Sequence, residues 1–259
     1  MPSPRVLILR APGTNCDMET AHAFELAGGR PDVVHVNRWL ESPQLAQAYQ
    51  ILCLPGGFSY GDDVSAGRIL ALQLTGHLSD ALRQFHADGK LILGICNGFQ
   101  VLIKTGLFDG GGPDRERGAT PPAPATLTWN DSGRFVDRWV PLRTVGERCV
   151  FLQGIERMFL PIAHAEGKFV ARDQATLDAL DQGGQLVLRY DTSAQAVGGN
   201  PNGSQRDVAG ICDPTGRVLG LMPHPERYVD PTHHPQWTRR GPAAEGEGLA
   251  VFRNAVDFF

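Results

Sequence analysis

Two short motifs carry residue types that can do chemistry together. Gly94-Ile95-Cys96-Asn97-Gly98 sets a cysteine at the centre of a Gly-x-nucleophile-x-Gly run. This is the strand–turn–helix pattern that lifts a nucleophile off the edge of a sheet, with sulfur in place of a serine oxygen. Glycines two positions on either side are needed because side chains there would collide with neighbouring backbone. The turn also holds the thiol over free N–H groups at a helix start, which favours thiolate. Met222-Pro223-His224-Pro225-Glu226-Arg227 supplies a proton shuttle and a group to hold it. Pro225 biases His224 toward extended backbone, where residues two apart share a side. The His224 imidazole then lies against the Glu226 carboxylate, which fixes its tautomer and stabilises the imidazolium.

A third segment, Pro55-Gly56-Gly57-Phe58-Ser59-Tyr60-Gly61-Asp62-Asp63, follows an apolar run. Gly56 and Gly57 let backbone N–H groups face a ligand without obstruction. Together with the N–H of Asn97, such donors suit a tetrahedral oxyanion. The loop lacks the Gly-Lys-Ser/Thr ending of a phosphate loop, so it does not support ATP binding in this chain.

Blander readings compete with each motif. Cys96 can be a buried inert thiol, as we read Cys16, Cys53, Cys149 and Cys212. A His-Pro-Glu tripeptide alone is often a surface loop. It also resembles the His-x-Glu of zinc deaminases, but no Pro-Cys-x-x-Cys follows, so no metal is expected. His164 is a rival base whose alternative is a hydrogen-bonded structural histidine. His233-His234 reads as a solvated pair. The five scattered cysteines form no Cys-x-x-Cys pair, which argues against a disulfide framework or zinc knuckle. Asn130-Asp131-Ser132 and Asn202-Gly203-Ser204 match the glycosylation pattern and read as chance matches in turns.

The elements that must position these groups follow from periodicity. Val6 to Leu9 is an apolar strand. A helix follows, with Thr14 or Asn15 as cap, Met18, Ala21, Phe24 and Ala27 as buried stripe, and Gly28-Gly29 at its end. Val33 to Val36 and Ile51 to Leu54 read as strands. Leu70, Leu74, Leu78, Leu82 and Phe85 recur at helical spacing. Leu91 to Ile95 is a continuous apolar run, as expected of a central parallel strand covered on both faces, and Phe99 to Gly106 is a short helix stopped by glycine. The alternation predicts an α/β fold: an open, doubly wound, mostly parallel sheet with flanking helices, flavodoxin-like. Residues 110–124 read as a loop and 126–170 as a small β-rich insertion. Asp213-Pro214-Thr215-Gly216 reads as a hairpin turn, and Leu249 to Phe259 as a closing helix.

One domain spanning 1–259 is the default for a chain of 259 residues with ordinary globular composition. A net charge of −4 without a basic stripe argues against nucleic acid as partner. No apolar run is long enough for a membrane span, and the N-terminus shows no signal pattern, so a cytoplasmic location is expected.

Six segments in order then carry a resemblance: Pro12 to Asp17, Pro55 to Gly67, Gly94 to Gln100, Ala163 to Phe169, Asn200 to Val208 and Met222 to Arg227. Cys-x-Gly-x-Gln and His-Pro-Glu are shared by class I glutamine amidotransferases. The Gly-Phe-Ser-Tyr-Gly-Asp-Asp and Asn-Pro-Asn-Gly-Ser segments are more specific. Together they resemble the glutaminase subunits of phosphoribosylformylglycinamidine synthases, across nearly the whole chain. The resemblance implies a Cys96, His224, Glu226 triad, an oxyanion hole near Gly56, Gly57 and Asn97, and help from Gln100 in seating glutamine. It also implies a separate synthetase partner that uses ATP and magnesium, a small accessory subunit, and no cofactor in this chain. Residues 110–150 and 231–248 look less typical of the shorter stand-alone subunits. Two other readings fit the motifs: a stand-alone Cys-His-Glu amidase or peptidase, and a non-catalytic scaffold or glutamine-sensing subunit.

Overall fold

The computed structural model describes residues 3–109, 123–193, 199–241 and 243–259. The loop expected over 110–124 lies, save for its last two residues, outside the described residues. The apolar runs form strands β1 (Arg5–Arg10), β2 (Arg30–His35), β3 (Ile51–Leu54) and β4 (Leu91–Ile95). Between them lie α1 (Asp17–Leu26), α2 (Val36–Glu41), α3 (Arg68–His77) and α4 (Ser79–Ala87), and α5 (Asn97–Leu102) follows β4. The second half adds β5 (Ala125–Thr128), β6 (Val136–Thr144), β7 (Arg157–His164), β8 (Lys168–Ala171), α6 (Gln174–Gln182) and β9 (Leu188–Tyr190). β10 (Val208–Cys212), β11 (Val218–Leu221), α7 (Trp237–Arg240) and α8 (Leu249–Asp257) complete it.

Nine of these strands form one sheet in the order β2-β1-β3-β4-β11-β10-β9-β6-β7, and β5 pairs with β8 apart from it. The half from β2 to β11 is parallel; from β11 to β7 each neighbour is antiparallel. The β-rich stretch is thus present, and its strands β6 and β7 extend the main sheet. Every residue of β4 is buried, because both of its neighbours are parallel strands and helices cover both faces. β10 and β11 form the expected hairpin around the buried Asp213, whose carboxylate accepts from the N–H groups of Thr215, Arg217 and Val218. Among the described residues no helix is long and apolar enough to cross a membrane.

The direction of the strands decides what meets. β3, β4 and β11 run parallel, so the segments after them emerge at one edge. Four antiparallel steps from β11 leave β7 pointing the same way, and the sheet curls back far enough for His224 N to donate to Pro161 O at 2.9 Å. The edge therefore gathers the chain after Leu54, Ile95, Leu221 and Ile162.

Three local expectations need correction. Helix α1 has Cys16 at its N-cap position without a side-chain cap; Thr14 Oγ1 instead accepts from Ala11 N at 3.1 Å. Met18 is exposed, and the buried residues are Asp17, Thr20, Ala21, Ala23 and Phe24. Phe24, common to the expected stripe and the buried set, packs edge-on against Phe252 of α8 with centroids 4.9 Å apart. Of the histidine pair, His234 is buried among Trp139, Phe159 and Tyr228, and Arg240 Nη1 lies 3.0 Å from its Nε2. Only His233 is exposed, because the chain folds back over the aromatic face of β6 and β7.

Candidate active site

The Gly-x-Cys-x-Gly run forms the sharp turn its composition predicts. Cys96 adopts φ 49°, ψ −105° between β4 and α5, a conformation L-residues rarely hold without support. Support comes from Cys96 N donating to Leu221 O at 2.7 Å and from close packing of glycine. A Cβ on Gly98 would lie 1.8 Å from Leu54 O, and one on Gly94 would lie 2.7 Å from Gly98 O. No residue larger than glycine fits either position without moving β3 or the turn. The sulfur is buried at 5% exposure, yet it lines a cavity of about 250 Å³ with Gly57, Phe58, Asp62, Gln100, Trp129, Ala163, His164, Ala165 and Glu166. It is buried but reachable. A larger hollow of about 360 Å³, between Pro43 and Lys90, contains neither His224 nor any cysteine.

His224 and Glu226 pair at 2.6 Å through Nδ1 and Oε1, and both residues are buried. Glu226 sits in a 3₁₀ turn over Pro225–Arg227 rather than in extended chain; Pro225 at its first position suits that turn, and the pairing survives. The other ring nitrogen, Nε2, has no hydrogen-bond partner. Burial depresses the imidazolium, but the charges of Glu226 and Cys96 outweigh it and raise the His224 pKa well above the ordinary value. The charge of Cys96 thus acts on the His224 ring although 128 positions of sequence separate the two.

Gly56 passes beneath the imidazole: a Cβ there would lie 2.8 Å from His224 Cε1. Gly57 faces the cavity with φ 141°. The N–H groups of Gly57 and Asn97 make no hydrogen bond to a described residue, so both are available as donors. The side chain of Asn97 fixes the neighbouring loop: its Oδ1 accepts from Ser59 N at 3.0 Å, and its Nδ2 donates to Asp62 at 3.0 Å and Gln100 Oε1 at 2.9 Å. Gln100 in turn donates to Glu166 O at 2.7 Å.

Residues to which the sequence reading gave no part in the site complete the wall. Cys96 Sγ lies 3.7 Å from Ala163 O. The turn after β7 hangs on buried Asn130, which donates to His164 O at 2.8 Å and accepts from Gly167 N at 3.2 Å. Asn202 Nδ2 donates to Gly167 O at 2.8 Å, and Ser204 Oγ accepts from Phe169 N at 3.0 Å. The two apparent glycosylation motifs are thus buried asparagines bracing one loop. Their signal was the Asn-Pro-Asn-Gly-Ser segment itself, although nothing in sequence says which loop it braces. His164 is buried, and desolvation with the nearby His224 charge lowers its pKa to about 4, so it is neutral near pH 7.

Cys53, Cys149 and Cys212 are buried and free. Cys16 is also buried, but its sulfur and donor atoms of His224 and Glu226 lie within 4.8 Å of one another. This is the one arrangement among the described residues with metal-ligand character. Arg227 Nη2 stands 3.3 Å from the Cys16 sulfur, and its positive charge opposes a cation. Burial pushes the Cys16 thiol up to about 11, which also opposes ligation.

The family of CobB/CobQ-like glutamine amidotransferase domains matches residues 3–259. Phosphoribosylformylglycinamidine synthase subunit PurQ of Dehalococcoides mccartyi is 44% identical, covering 99% of this chain and 98% of that protein. The subunit of the same name from Methanococcus maripaludis is 41% identical over 99% of this chain and 97% of its own length. Among solved structures, a chain of PurLQS from Thermotoga maritima superposes with a TM-score of 0.74 at 31% identity, covering 99% of both chains.

Proposed function

This chain belongs to the CobB/CobQ-like glutamine amidotransferases and, within them, to the PurQ subunits of phosphoribosylformylglycinamidine synthase; from that membership we propose that Cys96, His224 and Glu226 release ammonia from glutamine for amidine formation in purine biosynthesis. The Cys96 thiolate attacks the carboxamide carbon, and the carbonyl oxygen becomes an oxyanion. Free N–H groups of Gly57 and Asn97 receive that charge. Protonated His224 gives its proton to the departing nitrogen, so ammonia leaves and a glutamyl thioester remains. His224, now neutral, takes a proton from water as the water attacks the thioester. Glutamate is released and the thiolate returns. Glu226 holds the imidazole in place throughout.

The ammonia passes to a synthetase subunit that converts formylglycinamide ribonucleotide to the amidine. ATP and magnesium act there, and the small third subunit of the assembly completes the complex. A cytoplasmic location and a single domain are part of this reading. The observation that carries it is the His224 ring, with Nδ1 occupied by Glu226 and Nε2 unpartnered, within electrostatic reach of a cysteine on a strained elbow. A cavity of about 250 Å³ suits one amino acid rather than a peptide, being below the roughly 300–1,000 Å³ of larger ligand pockets.

The test is Cys96→Ala in the assembled complex. Glutamine-dependent amidine formation is expected to vanish while amidine formation from added ammonium salt persists. Loss of both, or of neither, overturns the assignment. Glutaminase turnover measured with and without the synthetase separates this reading from a stand-alone hydrolase and from an inert scaffold.

A further inference from the structure

The loop Ser59–Val64 contains chemistry that the triad does not use. Tyr60, Asp62 and Val64 have φ values of 55°, 56° and 70°, left-handed backbone that non-glycine residues hold only when surroundings enforce it. Tyr60 Oη donates to Gln73 Oε1 at 2.9 Å and ties the loop to α3. The result of the contortion is that Asp62 lines the Cys96 cavity. Glu166, from the turn after β7, lines the same cavity. Each acid is anchored: Asp62 Oδ1 accepts from Asn97 Nδ2 at 3.0 Å, and Glu166 Oε2 from Ala66 N at 3.3 Å.

Two carboxylates in so small a space repel. Burial raises the Asp62 pKa to about 6, and the charge of Glu166 adds to it, against the Gly67 backbone, Asn97 and Lys104. The cations near them do not fill the cavity. Lys104 Nζ is spent on the carbonyls of Ala66 and Gln100, at 3.0 and 2.9 Å, and it does not line the cavity. His164 does line it, but its ring is neutral near pH 7 for the reasons above, and its buried Nε2 has no hydrogen-bond partner. A cavity with a nucleophile, two acids and an unpartnered buried ring nitrogen is built for a ligand that brings its own positive charge.

We propose that Asp62 and Glu166 bind the α-ammonium group of the substrate, which makes them the residues that restrict this site to a free α-amino acid bearing a side-chain carboxamide. This rests on the reading that Cys96 attacks that carboxamide, whose carbon stands three bonds from the α-carbon. Asn97 couples the two ends: it follows the nucleophile directly in sequence and donates its side-chain amide to Asp62. Seating the ammonium then sets the carboxamide before the sulfur. The ion pairs form in a partly desolvated cavity, where charge-assisted hydrogen bonds are strong.

The experiment compares L-glutamine with 4-carbamoylbutanoate, the same molecule without its amino group, as substrate and as competitive inhibitor of the assembled complex. Asp62→Asn and Glu166→Gln are each expected to raise KM for glutamine by about tenfold to a hundredfold, with a smaller change in kcat. Affinity for 4-carbamoylbutanoate should stay within about threefold, so discrimination between the two collapses. Asp62→Glu should restore part of it, which a purely structural role of Asp62 would not predict. Co-elution of each variant with the synthetase subunit in size-exclusion chromatography reports that it assembles; a variant that does not is replaced by the conservative one at the same position. Unchanged discrimination in either Asp62→Asn or Glu166→Gln, with glutamine turnover intact, overturns this proposal alone. Absence of glutamine turnover in the native complex overturns the reading of Cys96 instead.

Discussion

Gly98→Ala perturbs the site without touching a polar group. A Cβ at that position would lie 1.8 Å from Leu54 O and 2.6 Å from Leu54 C, against the 3.0 Å that real Cβ contacts keep. Backbone must therefore separate by 3.0 − 1.8, about 1.2 Å. Leu54 ends a strand paired on both sides, so it yields only at the expense of the ladder; overpacking of this kind costs about 1–3 kcal/mol. Cys96 lies two residues upstream, on the turn that must move. A displacement of the attacking atom by about 1 Å costs on the order of a hundredfold in rate. Gly76→Ala is the control: it lies in α3, a Cβ there meets nothing within 4 Å, and its φ is not left-handed. Alanine there should stabilise the helix by about 0.5–1 kcal/mol. Urea midpoints of both variants, with glutamine- and ammonium-dependent amidine formation in the complex, measure the two effects. Gly98→Ala with native stability and native glutamine turnover would refute the argument that close backbone approach builds the elbow.

Glu226→Gln keeps the shape of the carboxylate and removes its charge, so glutamine-dependent kcat should fall by about 10²- to 10⁴-fold; a loss under threefold in steady-state assays would contradict the role given to the His224–Glu226 pair. The same variant has a stability signature. The folded pKa of His224 is raised above its unfolded value near 6.5, so the stabilisation is full below about pH 6.5 and is lost as pH rises through the folded value. Denaturation midpoints of native and variant protein should therefore converge toward alkaline pH. His164 carries the opposite sign. Its folded pKa, about 4, lies below the ordinary 6.5, so between those values the unfolded chain binds more protons and stability falls as pH drops, by about 3 kcal/mol in all. His164→Gln should flatten that acid slope in urea titrations at pH 7 and pH 4.5, and an unchanged slope would contradict a buried neutral imidazole.

What the sequence determined was whatever a few adjacent residues decide by themselves. Gly94 to Gly98 makes an elbow because its constraints are internal to the turn and the strand before it. His224 and Glu226 meet because they are two residues apart, whether the chain there is extended or, as it proved, a 3₁₀ turn. The apolar runs were legible as strands because burial on both faces leaves no alternation to misread. The rotation of α1 was not legible, because polar Asp17 and Thr20 are buried where apolar Met18 was expected, Asp17 paired with Arg10 and Thr20 donating to the Cys16 carbonyl. His234 was misread because its aromatic neighbours come from β6, β7 and the turn after Glu226. Only the tertiary structure decided that β7, reached by four antiparallel steps, returns to the edge where Cys96 stands. With it came Ala163, His164 and Glu166, and the asparagines that brace them. Local propensity sets conformation within a few residues, but a cavity wall assembled from distant segments depends on strand direction and sheet curl, which no single segment encodes.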